Sequence, residues 1–362
     1  MTDPIKVKRE PYRHVISLDG TWQRARQKNP TNIKLLHDCL ADVGTDRMVQ
    51  KKVHFDGVAT KGNILQRAWN GATGGGLKQQ VLEPYQYLVE NYQAGDDIVL
   101  VGFSRGAFAA RTLNGMIYKC GILNETKDLE EAVNDAYKFY RCDKRPSSEE
   151  SIQFRKEYSQ AERPKINLAC FDTVGELGIP KQFFILNGIS NKFHDFHDTR
   201  LNKNTVLALH VLATDEQRAN FQPTLMECDD CSNTDLTPLW FIGNHGAAGG
   251  GSEENKALSD IAGLWVAKKL AERGNVGYNL EALDRTFKPD YAANPTSDFK
   301  PESFLWKIAG FERRDIPKNA EFDMTVLKRF DQVAHYKPQH VEERLIIAVA
   351  AAKAASPSSL IT

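Results

Sequence analysis

The sequence predicts an α/β fold: a mostly parallel central sheet covered by helices on both faces, with helical and loop insertions over the site. Three observations lead there. Short apolar runs alternate with stretches of helical periodicity, as strands and their crossover helices do. Several of those runs end in turns rich in Gly and Asp. The run Ile98-Val99-Leu100-Val101 passes through Gly102-Phe103-Ser104-Arg105-Gly106 directly into Ala107-Phe108-Ala109-Ala110-Arg111, a junction of strand, tight turn and helix.

The elements follow in order. His14 to Leu18 reads as a strand ending in the turn Asp19-Gly20-Thr21-Trp22. Thr31 can cap a helix from Asn32 to Val43, whose Ile33, Leu36, Leu40 and Val43 fall on one face. Lys52 to Phe55 is a short strand. The Gly-rich stretch 71–76 opens a helix that runs through Tyr92, with Leu77, Val81, Tyr85 and Leu88 aligned. Leu129 to Tyr140 reads as a helix, Ile166 to Phe171 as a strand, Thr205 to Leu212 as a helix and Leu239 to Ile242 as a last strand. Leu258 to Arg273 forms an amphipathic helix. We expect one elaborated domain over 1–362. The charged segment 125–163 and the proline-bearing segment 282–320 are expected to be insertions or lids over the cleft.

Composition narrows the function. Lys plus Arg and Asp plus Glu both number 47, which argues against nucleic acid or an anionic membrane surface as an electrostatically recruited partner. An uncharged or amphipathic ester or lipid substrate, with peripheral membrane contact, remains compatible. Six scattered cysteines fit reduced thiols. The lone pair Cys228 and Cys231 lacks the second pair or nearby histidines of a zinc site. His194 and His197 lack a third ligand. No metal or organic cofactor is expected. The N-terminal residues carry no apolar signal segment and no run is long enough to span a bilayer, so the expectation is a cytoplasmic protein as synthesised, whose export would need no cleaved signal.

The junction at Ser104 carries the chemistry. A G-x-S-x-G between strand and helix forces its serine into a sharp turn, where side chains at the flanking positions would collide and glycine fits. A serine hydroxyl needs a base to take its proton, and the base needs a carboxylate to orient it. Three residues at the carboxyl ends of expected strands stand in the order Ser, Asp, His: Ser104, Asp172 and His245. His210 is the rival base, and Asp215 and Asp235 are the rival acids. The Arg105 backbone N–H, directly after the serine, would supply one oxyanion donor, and Gly20 or Thr21 the other.

Taken in order, these pieces resemble a family of α/β-hydrolases that includes the type VI secretion phospholipase effectors. The signatures are Leu18-Asp19-Gly20-Thr21-Trp22, Asp56-Gly57-Val58, Gly102-Phe103-Ser104-Arg105-Gly106-Ala107 and Asp172-Thr173-Val174-Gly175. Phe196-His197-Asp198-Thr199, the run from His210 to Arg218, and Trp240-Phe241-Ile242-Gly243-Asn244-His245 before three glycines complete them. The resemblance implies an α/β-hydrolase fold and a Ser104, Asp172, His245 triad cleaving acyl esters, plausibly of phospholipids. Two departures stand out: Ala247 where the family usually has aspartate, and Ser252 where it usually has an aromatic residue. An acyltransferase on the same residues, or a silent member that binds a lipid or protein, are the alternatives.

Overall fold

The computed structural model describes residues 9–20, 28–57, 75–174, 200–228, 232–293 and 312–355. Six strands, β1 (Tyr12–Leu18), β2 (Val49–Phe55), β3 (Asp97–Phe103), β4 (Ile166–Phe171), β5 (Thr205–Ala213) and β6 (Asp235–Phe241), form one sheet in the order β2-β1-β3-β4-β5-β6. Every neighbouring pair is parallel. A parallel sheet is buried on both faces, so alternate residues of one strand must serve two cores. Val15, Val99, Val101 and Ala169 join one apolar cluster. Their neighbours Ile16, Ile98, Leu100 and Leu168 join the other.

The first cluster is closed by α1 (Asn32–Asp38), α7 (Lys256–Gly274), α9 (Met324–Gln332) and α10 (Glu342–Ala355), through residues such as Ile33, Leu258, Val326 and Leu345. The second is closed by α2 (Gly75–Asn91), α3 (Arg105–Cys120) and α4 (Leu129–Tyr140), through Val81, Leu113 and Ala136. Two short helices, α6 (His245–Gly249) and α8 (Leu280–Thr286), flank α7 in the chain. Among the described residues no helix is long and apolar enough to cross a membrane.

The segment from Thr205 to Leu212 departs from expectation, since it is strand β5 rather than a helix. Its run Val206-Leu207-Ala208-Leu209 has no polar face, and a continuous apolar stretch looks alike in a buried helix and a buried strand. Pairing on both sides decides it: Leu207 to Val211 register with Asn167 to Phe171 of β4 and with Asp235 to Leu239 of β6. Helix α1 also stops early. Cys39 caps it, and Leu40 and Val43 make bridges to Tyr278 and Val49 instead of a further turn.

The 125–163 segment holds α4 and α5 (Glu149–Tyr158). Lys119, in the last turn of α3, donates to the carbonyls of Tyr140 and Cys142, and Ser159 donates to Cys120 O. These contacts anchor the segment at the opposite end of α3 from Ser104, so they do not place it over that serine. Within 282–320, residues 312–316 lie against the carboxyl end of β5, where Glu312 N–H donates to Gln217 O and Arg314 to Ala213 O. Cys39, Cys120, Cys142 and Cys170 are free thiols, but Cys228 is disulfide-bonded, which corrects the expectation of wholly reduced cysteines. Cys231 lies outside the described residues.

Candidate active site

Strand β3 ends at Phe103, and Ser104 turns the chain at φ 58° and ψ −123° into α3. The two glycines around it are required by backbone, not by side chains. A Cβ on Gly102 would sit 2.5 Å from Gly106 O, and one on Gly106 would strike the carbonyls of Leu18 and Asp19. The turn is pinned from its neighbour strand, with Ser104 N–H donating to Phe171 O at 2.9 Å.

Strand β4 delivers Asp172 in the same layer, also at positive φ (42°) and fully buried. Its carboxylate is saturated. Oδ1 accepts from Ala213 N–H (3.0 Å) and Arg314 Nη1 (2.5 Å), and Oδ2 accepts from His245 Nδ1 (2.7 Å) and Arg314 Nη2 (2.7 Å). Burial alone would raise this carboxyl, but the Arg314 charge and the hydrogen bonds from His245 and Arg314 outweigh it and hold it well below the usual carboxylate range.

Beyond β6, Gly243 turns at φ 96° and Asn244 caps α6 by accepting from Ala247 N–H at 3.0 Å. His245 is therefore the first helical residue. Its backbone N–H donates to Glu216 Oε2 at 3.0 Å, and Glu216 is itself clamped by Arg218 Nε and Nη2 at 2.7 and 2.6 Å. The ring lies between Phe103 and Phe221, with centroids 4.6 and 4.8 Å away. Nε2 stands 2.9 Å from Ser104 Oγ. Because Asp172 only accepts, Nδ1 carries the proton and Nε2 is left as the acceptor for the serine hydroxyl. Burial lowers the imidazole below its ordinary value despite the opposing hydrogen bond from Asp172, so the ring is neutral and basic at neutral pH.

The structure thus brings Ser104, His245 and Asp172 into one chain of hydrogen bonds. The rivals lie elsewhere. His210 is in the middle of β5 with no exposure, and burial pushes it down to about 3. Neither of its ring nitrogens has a partner among the described residues. Asp215 accepts from Gly243 N–H (2.7 Å) and Tyr336 Oη (2.9 Å), which makes it a support for the turn before His245. Asp235 is exposed at the start of β6 and pairs with Arg273. His194, His197 and Thr21 lie outside the described residues.

Of the oxyanion candidates, Arg105 opens α3, where first-turn N–H groups have no acceptor within the helix. Its guanidinium is pushed down to about 10 by burial. Gly20 faces the serine, since a Cβ there would be 3.2 Å from Ser104 Cβ. Its N–H makes a long 3.3 Å contact with Asp19 Oδ1. Asp19 is held in turn by Thr31 Oγ1 (2.6 Å) and His54 Nε2 (3.0 Å).

Two participants escaped the sequence reading. Glu216 sits inside the stretch from His210 to Arg218, where an acid two residues before an arginine was a usable signal. Arg314 carried none, being one arginine in an irregular segment far downstream. Ala247, read as a departure, is 1% exposed within the first apolar cluster. Among the described residues no group of three or more His, Cys, Asp or Glu could hold a metal ion.

Comparison with known proteins adds the family. An uncharacterized protein of Saccharomyces cerevisiae is 27% identical over 228 residues, 58% of this chain and 32% of that protein, so the chain spans about a third of that curated relative's length. The crystal structure of an uncharacterized protein from Pseudomonas aeruginosa is similar in fold, with a TM-score of 0.50 and 15% identity over 78% of this chain and 50% of the other. The Tle1 effector bound to the VgrG spike of the type VI secretion system matches with a TM-score of 0.43 and 18% identity, over 70% of this chain and 54% of the other. The sequence model of the type VI secretion phospholipase effector Tle1-like catalytic domain matches residues 12–269. That is well over half the chain, and with a wholly parallel sheet carrying Ser104 on a strand-to-helix turn, the chain belongs to the family of Tle1-like phospholipase effector catalytic domains.

Proposed function

We propose that this protein is a serine hydrolase that cleaves carboxylic esters of lipids, phospholipids foremost, through an acyl-enzyme on Ser104. The observation that carries the reading is the unbroken chain Ser104 Oγ, His245 Nε2, His245 Nδ1, Asp172 Oδ2, with separations of 2.9 and 2.7 Å at its two hydrogen bonds. Membership of a phospholipase family supports the lipid ester as substrate class.

In the first half-reaction His245 Nε2 takes the hydroxyl proton as Ser104 Oγ bonds to the ester carbonyl carbon. The carbonyl oxygen gathers negative charge and accepts from the backbone N–H groups of Arg105 and Gly20. Losing one such donor typically costs about a hundredfold to a thousandfold in rate. The tetrahedral adduct collapses, the carbon–oxygen bond to the leaving alcohol breaks, and the alcohol leaves with the proton from Nε2. In the second half a water gives its proton to Nε2 and attacks the acyl carbon. Ser104 Oγ departs with that proton and the free acid is released. Asp172 stabilises the transient imidazolium throughout.

The test is labelling with a fluorophosphonate. Wild type should label, Ser104→Ala and His245→Ala should not, and His210→Ala should retain labelling. Folded wild type that takes no label would favour a silent binding member. Loss of turnover in His210→Ala with turnover kept in His245→Ala would overturn the base. Incubation with mixed phospholipids and short-chain esters then identifies the bond cut.

A further inference from the structure

The most unusual feature of the site is a guanidinium paired with its carboxylate. Arg314 is fully buried, as is Asp172, and the two are joined edge to edge by two hydrogen bonds. All four Nη hydrogens have acceptors: Nη1 serves Asp172 Oδ1 and Ala213 O (3.1 Å), while Nη2 serves Asp172 Oδ2 and Phe221 O (2.6 Å). Such a fork fixes the plane of a carboxylate as well as its charge. Arg314 also lies beyond the 12–269 range that carries the family likeness.

We propose that Arg314 is a positioning residue for the Ser104–His245–Asp172 reaction: it locks the Asp172 carboxylate toward His245 Nδ1 and offsets its charge, so that His245 stays neutral and able to act as a base into the acidic range. This rests on the reading of Ser104, His245 and Asp172 given above.

Arg314 acts on the ring through Asp172, while Arg218 and Glu216 also face His245, act on it in opposite directions and are paired with each other at 2.6 Å. Arg111 of α3 faces His210 of β5, a ring that burial keeps neutral, and that ring in turn faces Asp172 and Arg314. Arg111 spends its own guanidinium on the carbonyls of Thr224 and Leu225. With Arg314 removed, the full charge of a buried carboxylate would fall on the imidazole. An opposite charge at such range raises a histidine by about 1 unit or more.

The experiment compares Arg314→Gln and Arg314→Lys with wild type in kcat/KM against pH, using a p-nitrophenyl ester. Arg314→Gln should move the acid limb up by about 1 pH unit. Arg314→Lys, which keeps the charge and loses the fork, should leave that limb in place and lower kcat with KM little changed. A folded Arg314→Gln whose acid limb coincides with wild type overturns the proposal. If the glutamine variant does not fold, Arg314→Met takes its place and nitrogen-15 NMR of the His245 ring is compared with wild type: a midpoint about 1 unit higher in the variant is expected, and an unchanged midpoint overturns the proposal. The NMR readout needs no turnover, so it judges Arg314 even where Ser104 proves unreactive.

Discussion

Ser104 and Asp172 leave adjacent parallel strands through left-handed backbone, at φ 58° and 42°. They are tied to the same layer by the Ser104 N–H to Phe171 O bond, at the last residue before Asp172. A residue with a side chain in that region costs on the order of 1–3 kcal/mol, which the surrounding sheet must offset. The strain aims the hydroxyl and the carboxylate at the space that His245 fills.

Relief of that strain is measurable. Ser104→Gly should unfold at higher urea than Ser104→Ala, by about 1 kcal/mol, because only glycine is at ease at this φ. Neither variant should react with a fluorophosphonate. Equal stabilities would mean that the turn is not strained.

Gly106 permits the close approach of α3 to β1. Since a Cβ there would meet the carbonyls of Leu18 and Asp19, Gly106→Ala must push backbone apart. We expect a loss of at least about 2 kcal/mol in thermal or urea unfolding, with activity falling further because Gly20 moves with Asp19. An alanine variant of wild-type stability and rate would contradict the geometry.

Acid should weaken the fold through its buried histidines. Burial lowers His37 to about 4 and His210 to about 3, and lowers His245 as well. In each case the unfolded chain, titrating near 6.5, binds the proton more readily than the folded one. The stability these rings contribute is therefore complete above about pH 6.5 and is lost as pH falls toward the folded values. The slope is at most about 1.4 kcal/mol per pH unit for each ring, less for the half-buried His37. Urea midpoints at pH 7, 6 and 5 should fall in sequence, and His210→Met should flatten the series.

At position 247 the structure opposes the substitution that the family pattern suggests. Ala247 is packed among apolar side chains beside α7, and Glu216 already holds the His245 backbone. Ala247→Asp would bury a carboxylate in that apolar surrounding. We expect a loss of about 2 kcal/mol or more in thermal unfolding and no gain in esterase rate. A faster variant of normal stability would show that the aspartate is missing rather than excluded.

How much of this could be read from the chain alone depended on whether a signal was local. β3, the turn at Ser104, β4 and α4 announced themselves, because periodicity and turn chemistry act over a few residues. β5 was misread since its pairing partners, not its own sequence, make it a strand. The Ser104, His245, Asp172 contact followed from the order of strand ends, a topological rule. Arg314 could not be found this way, because a clamp formed across the fold leaves no spacing behind.

The all-parallel sheet has a consequence for any divided form of this protein. β4 and β5 are parallel, hydrogen-bonded neighbours, and the triad residues divide between the chain up to Asp172, at the end of β4, and the chain from β5 onward. A cut in the sequence between Asp172 and Thr205 would leave the nucleophile and the acid on one fragment, and the base and the guanidinium on the other. Reactivity would then depend on noncovalent reassembly of the halves and vary with their concentration, whereas in the intact polypeptide the same groups stay tethered to one another.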